Sequence, residues 1–220
     1  MVKIARCTRG APAQIDSVRR SRAEVASRTS ELRFAASAVR RLPLRVAWFT
    51  LRARRRARRA GDAFSLSSAL RPQKLAELLA VAAQRRTVVE LGTGTGWTTI
   101  ALALADPART VVSYDPVARG RAAYLALVAP SVRARITFVT APAEDGPGDV
   151  LGVELLFIDS SHEREPTLAQ VAVWRPALAP GALVVFDDYG HPDYPGVAQA
   201  VDALGATGAV CASMFLWRPT

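Results

Sequence analysis

The chain has 220 residues, half of them hydrophobic, which is enough for one α/β domain with an extension. Its net charge of +10 is unevenly placed: residues 1–60 hold 17 Lys/Arg against 3 Asp/Glu, while residues 61–220 hold 12 against 16. No apolar run approaches the roughly 18 residues of a membrane span, and the basic start MVKIARCTRG lacks the apolar core of a secretory signal. Two cysteines at opposite ends, Cys7 and Cys211, give neither a disulfide framework nor a metal spacing and suggest a reducing, cytoplasmic setting.

In chain order, residues 1–40 are rich in Arg, Ser and Ala with little periodicity and read as flexible or weakly helical. Leu42–Leu51 is apolar and runs into the basic block Arg52–Arg59, which predicts a basic amphipathic helix begun near Pro43. Such a helix either packs Val46, Phe49 and Leu51 on the main domain or binds an acidic surface. Residues 40–60 could therefore meet nucleic acid or an anionic membrane surface. Gly61-Asp62 marks the expected boundary between a basic extension (1–60) and the main domain (61–220). A helix is predicted from about Ser68, with Pro72 in its first turn and Leu75, Leu78, Leu79 and Ala82 on its apolar face.

From there apolar runs and helical patterns alternate. Strands are expected near 87–91, 110–114, 135–140, 153–158 and 182–187. Helices are expected near 96–105, 117–128, 163–176 and 195–204, with further strand in Ala209–Trp217. This alternation predicts an α/β fold, a Rossmann-like, doubly wound, mostly parallel sheet with helices on both faces. Ligands then bind beyond the carboxyl ends of the strands.

The first such end is Thr87–Trp97, TVVELGTGTGW. Gly92, Thr93, Gly94 and Gly96 form a turn that a ligand can approach closely. Trp97 stands where the third glycine of a dinucleotide G-x-G-x-x-G fingerprint would be. The second strand ends at Asp115, placed to accept hydrogen bonds from ribose hydroxyls, a feature shared by NAD and S-adenosylmethionine (SAM). No Lys or Arg lies between Arg86 and Arg109 to meet a pyrophosphate, which favours SAM. Glu90 either receives the positive end of the methionine portion or is a buried, satisfied acid.

The two histidines keep acidic company. Leu156–His162 reads LFIDSSH and Val184–His191 reads VVFDDYGH. Asp159, Asp187 and Asp188 are either turn and cap residues or a Mg²⁺ site of hard oxygen ligands. A cation there would lower the pKa of a substrate hydroxyl, with His162 as general base. Trp97, Tyr189 and Tyr194 either line an acceptor pocket or pack in the core. The close spacing of Asp159, Ser160, Ser161 and His162 and the lack of a G-x-S-x-G elbow exclude a serine-hydrolase triad.

The pattern E-x-G-x-G-x-G at Glu90–Gly96 resembles the first motif of class I SAM-dependent methyltransferases. With VVSYDP, LLFIDSSHE and ALAPGALVVFDDYGHP, the segment Ala63–Trp217 resembles methyltransferase family 24, related to catechol-type O-methyltransferases. The resemblance implies SAM as methyl donor, a small-molecule hydroxyl as acceptor, and Ala143 and Glu144 beside adenine. It also implies that Asp62–Arg71 lies over cofactor and substrate. Asp159 and Asp187 match the acids that hold Mg²⁺ in catechol-type enzymes, while Asp188 replaces an amide and His162 a lysine. Methylation of RNA through the basic arm, a non-catalytic SAM-binding module and an NAD-dependent oxidoreductase are the rival readings. The oligomeric state is left open, a homodimer among its options.

Overall fold

The computed structural model describes residues 42–219. The expectation for residues 1–40 and the position of Cys7 lie outside them.

Helix α1 (Leu44–Ala60) starts behind Pro43 and stops at Gly61, whose φ of +65° closes the helix with hydrogen bonds back to Ala57 and Arg58. Its inner face is Val46, Phe49, Ala53 and Ala57, all buried. Leu51, expected on that face, points outward and is 50% exposed, because at 100° per residue it falls opposite Ala53 and Ala57.

Short helix α2 (Ala63–Ser68) follows, capped by Asp62, whose Oδ1 accepts from the Ser65 amide at 2.9 Å. Helix α3 runs Pro72–Val81. The helix expected from Ser68 is therefore two helices. Ser68 ends the first, and Pro72, which lacks an N–H to lose, opens the second. Leu75, Leu78, Leu79 and Ala82 are all buried, as their spacing predicts.

The α/β alternation then builds one sheet. Its strands are β1 (Thr87–Leu91), β2 (Thr110–Tyr114), β3 (Ile136–Val139), β4 (Val153–Ile158), β5 (Leu178–Phe186), β6 (Gly208–Cys211) and β7 (Met214–Trp217). The order is β3-β2-β1-β4-β5-β7-β6. Strands β1 to β5 are parallel, and the hairpin β6–β7 adds an antiparallel edge through β5. This is the expected Rossmann-like, doubly wound, mostly parallel sheet. Strands β1 and β4 read VVEL and LLFI because helices cover both faces of the sheet.

The helices between strands are α4 (Trp97–Ala105), α5 (Arg121–Leu125), α6 (Pro130–Arg133), α7 (Arg164–Trp174) and α8 (Pro195–Ala203). The helix expected over 117–128 is shorter, since Gly120 at φ +52° delays its start. One helical layer packs α1 against α4 through Phe49, Ala53, Trp97, Ile100 and Tyr124. Order reverses between β1, which leads outward to β2 and β3, and β4, which leads to β5. At such a switch point the connections depart to opposite sides and leave a crevice.

Candidate active site

The crevice is a cavity of about 940 Å³ lined from five strand ends and from α2 and α3. Its size is ample for a cofactor and a small partner. One half is built on β1 and β2. After Leu91 the backbone turns through Gly92 at φ +100°, and a Cβ there would lie 1.8 Å from the Asp159 carbonyl oxygen. Glycine is thus required both by conformation and by the approach of the β4 loop. At Gly96, φ is +83° and a Cβ would meet the Phe138 ring at 2.9 Å.

Asp115 closes this half. Its Oδ2 accepts from the Gly94 amide at 2.8 Å and its Oδ1 from the Val117 amide at 2.8 Å. A carboxylate offers about four acceptor positions, so each oxygen keeps one for a ligand in the cavity it lines. Thr93 is buried and shares a 2.7 Å hydrogen bond with Ser113. Ala143 and Glu144 border the cavity from the turn after β3. Gln170 of α7 donates to Glu144 at 2.8 Å and accepts from Ser160 at 2.8 Å, tying that turn to the β4 loop.

Glu90 takes the buried, hydrogen-bonded place that one of its two readings expects. It is 1% exposed and lies below the glycine loop, outside the cavity lining. Its Oε2 accepts from Ser113 at 2.6 Å and from Thr99. Burial pushes its carboxyl up to about 8, against the pull of those two hydroxyls. The position on β1 alternates inward, so the side chain is committed to the interface with α4.

The other half is built on β4, β5 and α3. His162 Nε2 lies 3.2 Å from Asp159 Oδ1 and 3.6 Å from Asp188 Oδ2. Its ring stacks on Tyr194 at 4.6 Å, and Tyr194 in turn meets His191 at 4.9 Å. His162 and Asp188 both adopt left-handed backbone, at φ +61° and +50°, which aims two consecutive loops into one space. Burial pulls the His162 pKa down, but Asp159, Asp188 and Asp187 outweigh it and the net shift is upward.

Lys74 of α3 carries no local sequence signal that marks it for the site. Its Nζ lies 2.7 Å from Asp187 Oδ1 and 2.6 Å from Asp188 Oδ1. Asp187 is 2% exposed, and burial and the nearby Asp159 charge push its carboxyl upward although Lys74 opposes the shift. Asp159, His162 and Asp187 offer donor atoms within 4.8 Å of one another. That group holds His162 where the sequence reading places Asp188, whose Oδ1 faces Lys74 and whose Oδ2 lies 3.6 Å from His162 Nε2. His162 Nε2 and Asp187 Oδ1 are buried with ion-pair contacts but no well-directed hydrogen bond; the carboxylate oxygens of Asp159 and Asp187 are the donors that a hard cation suits, whereas the imidazole nitrogen is not.

Phe64, Ser65, Ser68 and Arg71 of the segment expected over the site do line the cavity, while Asp62 is the α2 cap. Trp97 and Tyr194 reach the lining. Tyr189 instead packs on Phe215 at 4.9 Å, half-buried against the core.

A family profile described as a methyltransferase domain matches residues 89–189. Among solved structures, a Podospora anserina methyltransferase bound to S-adenosylhomocysteine is 14% identical, covering 93% of this chain and 100% of that chain at a TM-score of 0.58. A TDP-rhamnose 3′-O-methyltransferase of calicheamicin biosynthesis is 19% identical, covering 91% and 96% at 0.51. A Bacillus cereus O-methyltransferase in complex with S-adenosylhomocysteine is 15% identical, covering 69% and 83% at 0.53. These likenesses establish the fold. A search of curated proteins finds no significant match.

Proposed function

We propose that this chain, which a methyltransferase-domain profile matches over residues 89–189, moves a methyl group from SAM to a hydroxyl of a small molecule. The observation that carries the reading is that the Gly92–Gly96 loop with Asp115 and the cluster Asp159, His162, Asp187 open into one cavity. SAM, when bound, supplies a methyl carbon made electrophilic by its sulfonium. Asp115 would receive the ribose hydroxyls, and the amides of the glycine loop would border the amino-acid portion. Ala143 and Glu144 would flank the base.

In the neutral tautomer with its proton on Nδ1, His162 can accept the acceptor's proton at Nε2. The imidazolium so formed faces Asp159 and Asp188, which stabilise its charge. With SAM bound, formation of the C–O bond would be matched by cleavage of the C–S bond, its electron pair going to sulfur, so the transfer would need no oxidant. Stacking on Tyr194 holds the imidazole plane, and the α2 segment covers the cavity from above. Placement of the two reacting atoms contributes more than the proton transfer itself.

Mg²⁺ would be held by Asp159 and Asp187, where it would acidify a bound hydroxyl. Lys74 already faces Asp187 and Asp188 as a tethered cation, so an added ion competes with it. Lys74→Met should then tighten Mg²⁺ binding by calorimetry, whereas Asp159→Ala should abolish any stimulation of turnover by Mg²⁺. The primary test is calorimetric titration of S-adenosylhomocysteine, with NAD⁺ titrated separately. Saturable binding of the former alone is expected; binding of NAD⁺ alone would replace this reading with a dehydrogenase. Hydroxylated acceptors are then screened with and without Mg²⁺.

A further inference from the structure

Helix α1 has two faces, and only one is used by the domain. Its sequence LRVAWFTLRARRRARRA contains seven arginines and no acid. Val46, Phe49, Ala53 and Ala57 face the core. Arg45 donates to the Ala105 carbonyl at 2.9 Å and Arg52 to that of Leu127 at 3.1 Å, which pins the helix along the domain. On the opposite side, Leu44, Trp48, Leu51, Arg55 and Arg58 follow one another at spacings of four and three residues and form a single stripe.

That stripe is unusual in content. Leu44 is 89% exposed and Trp48 63% exposed. Arg54, Arg55, Arg58 and Arg59 form no ion pair with an acid among the described residues. The preceding residues 1–41 hold ten Lys/Arg against three Asp/Glu, so they add charge of the same sign and cannot neutralise α1. A complementary partner must be anionic and must also shelter apolar side chains.

We propose that the outer face of α1 docks on an anionic lipid surface, lying in the interface plane. The guanidiniums pair with lipid phosphates, to which their planar fork is matched. Leu44, Trp48 and Leu51 enter the boundary between headgroups and acyl chains, where an indole is well suited. An RNA backbone would engage the arginines and stack on Trp48 but would leave Leu44 and Leu51 in water. The helix lies on the membrane and does not cross it; no described helix is long and apolar enough to span a bilayer. Because Gly61 and Asp62 lead directly into α2, docking would set the cavity wall at Phe64 and Ser65 close to the lipid surface.

The test uses the full chain with vesicles of phosphatidylcholine alone or of equal parts phosphatidylcholine and phosphatidylglycerol. Cosedimentation is expected with the mixed vesicles only, falling as salt is raised. Brominated lipid should quench Trp48, and Trp48→Phe should abolish the quench, since Trp97, Trp174 and Trp217 are buried. The triple variant Arg55→Glu/Arg58→Glu/Arg59→Glu should partition at least about 100-fold more weakly, with an unchanged thermal melt. Three results would overturn the proposal: no binding to the mixed vesicles, equal binding to neutral ones, or undiminished binding by the triple variant. Salt-dependent RNA binding without vesicle binding would give the face to nucleic acid instead.

Discussion

At the scale of single residues, the site depends on how burial and local donors treat each carboxylate. Asp115 keeps free acceptor positions beside the amides of Gly94 and Val117. Asp115→Ala should weaken S-adenosylhomocysteine binding by about 10- to 100-fold, the worth of hydrogen bonds to a charged group, as read by calorimetry. Unchanged affinity would remove Asp115 from the cofactor site. Glu90 behaves differently because it is sealed beneath the loop. Its folded pKa of about 8 lies above its ordinary value of 4.5. Between those two pH values the folded chain holds more protons than the unfolded one, so this group's contribution to stability falls as pH rises and levels off above about 8. Glu90→Gln should therefore gain in melting temperature over the parent progressively from pH 5 to pH 8 and level off above that. A pH-independent difference between the two proteins would refute the assignment.

At the scale of elements, close backbone contacts decide where the loops point. The start of α8 touches the His162 loop: a Cβ on Gly196 would lie 2.7 Å from the His162 carbonyl oxygen and 2.6 Å from the Arg164 amide nitrogen. Gly196→Ala should therefore shift His162 and lower kcat by about 10-fold or more while leaving S-adenosylhomocysteine affinity near the parent value, because the glycine loop lies elsewhere. Equal loss of both would show a general disruption. The strands were readable from the chain because their apolar runs and the turns that end them are local signals. Elements bounded by a conformational switch were harder. Gly120 and Pro72 each moved a helix start by several residues from the position that apolar spacing suggests. Asp159 and Asp187 stood out as acids closing apolar runs, yet the left-handed turns at His162 and Asp188 that converge them carry no distinctive residue.

At the scale of the whole molecule, the basic helix is part of the domain's core. Phe49 is buried with Trp97, Ile100 and Tyr124, and Trp97 directly follows the glycine loop. Phe49→Ala should cost about 3–5 kcal/mol in chemical denaturation. A loss near zero would mean that α1 does not pack there in solution. The sequence by itself determined the α/β class, the strand positions, the glycine loop and the acids at the strand ends, since each rests on neighbours within a few residues. Tertiary structure alone decided that Lys74 meets Asp187 and Asp188 across more than a hundred residues, and that Gln170 links Glu144 to Ser160. It also decided that Glu90 lies under the site and that Tyr189 packs against the core. These facts depend on which face of an element is covered and on what the fold brings opposite it, and no local pattern encodes the partner.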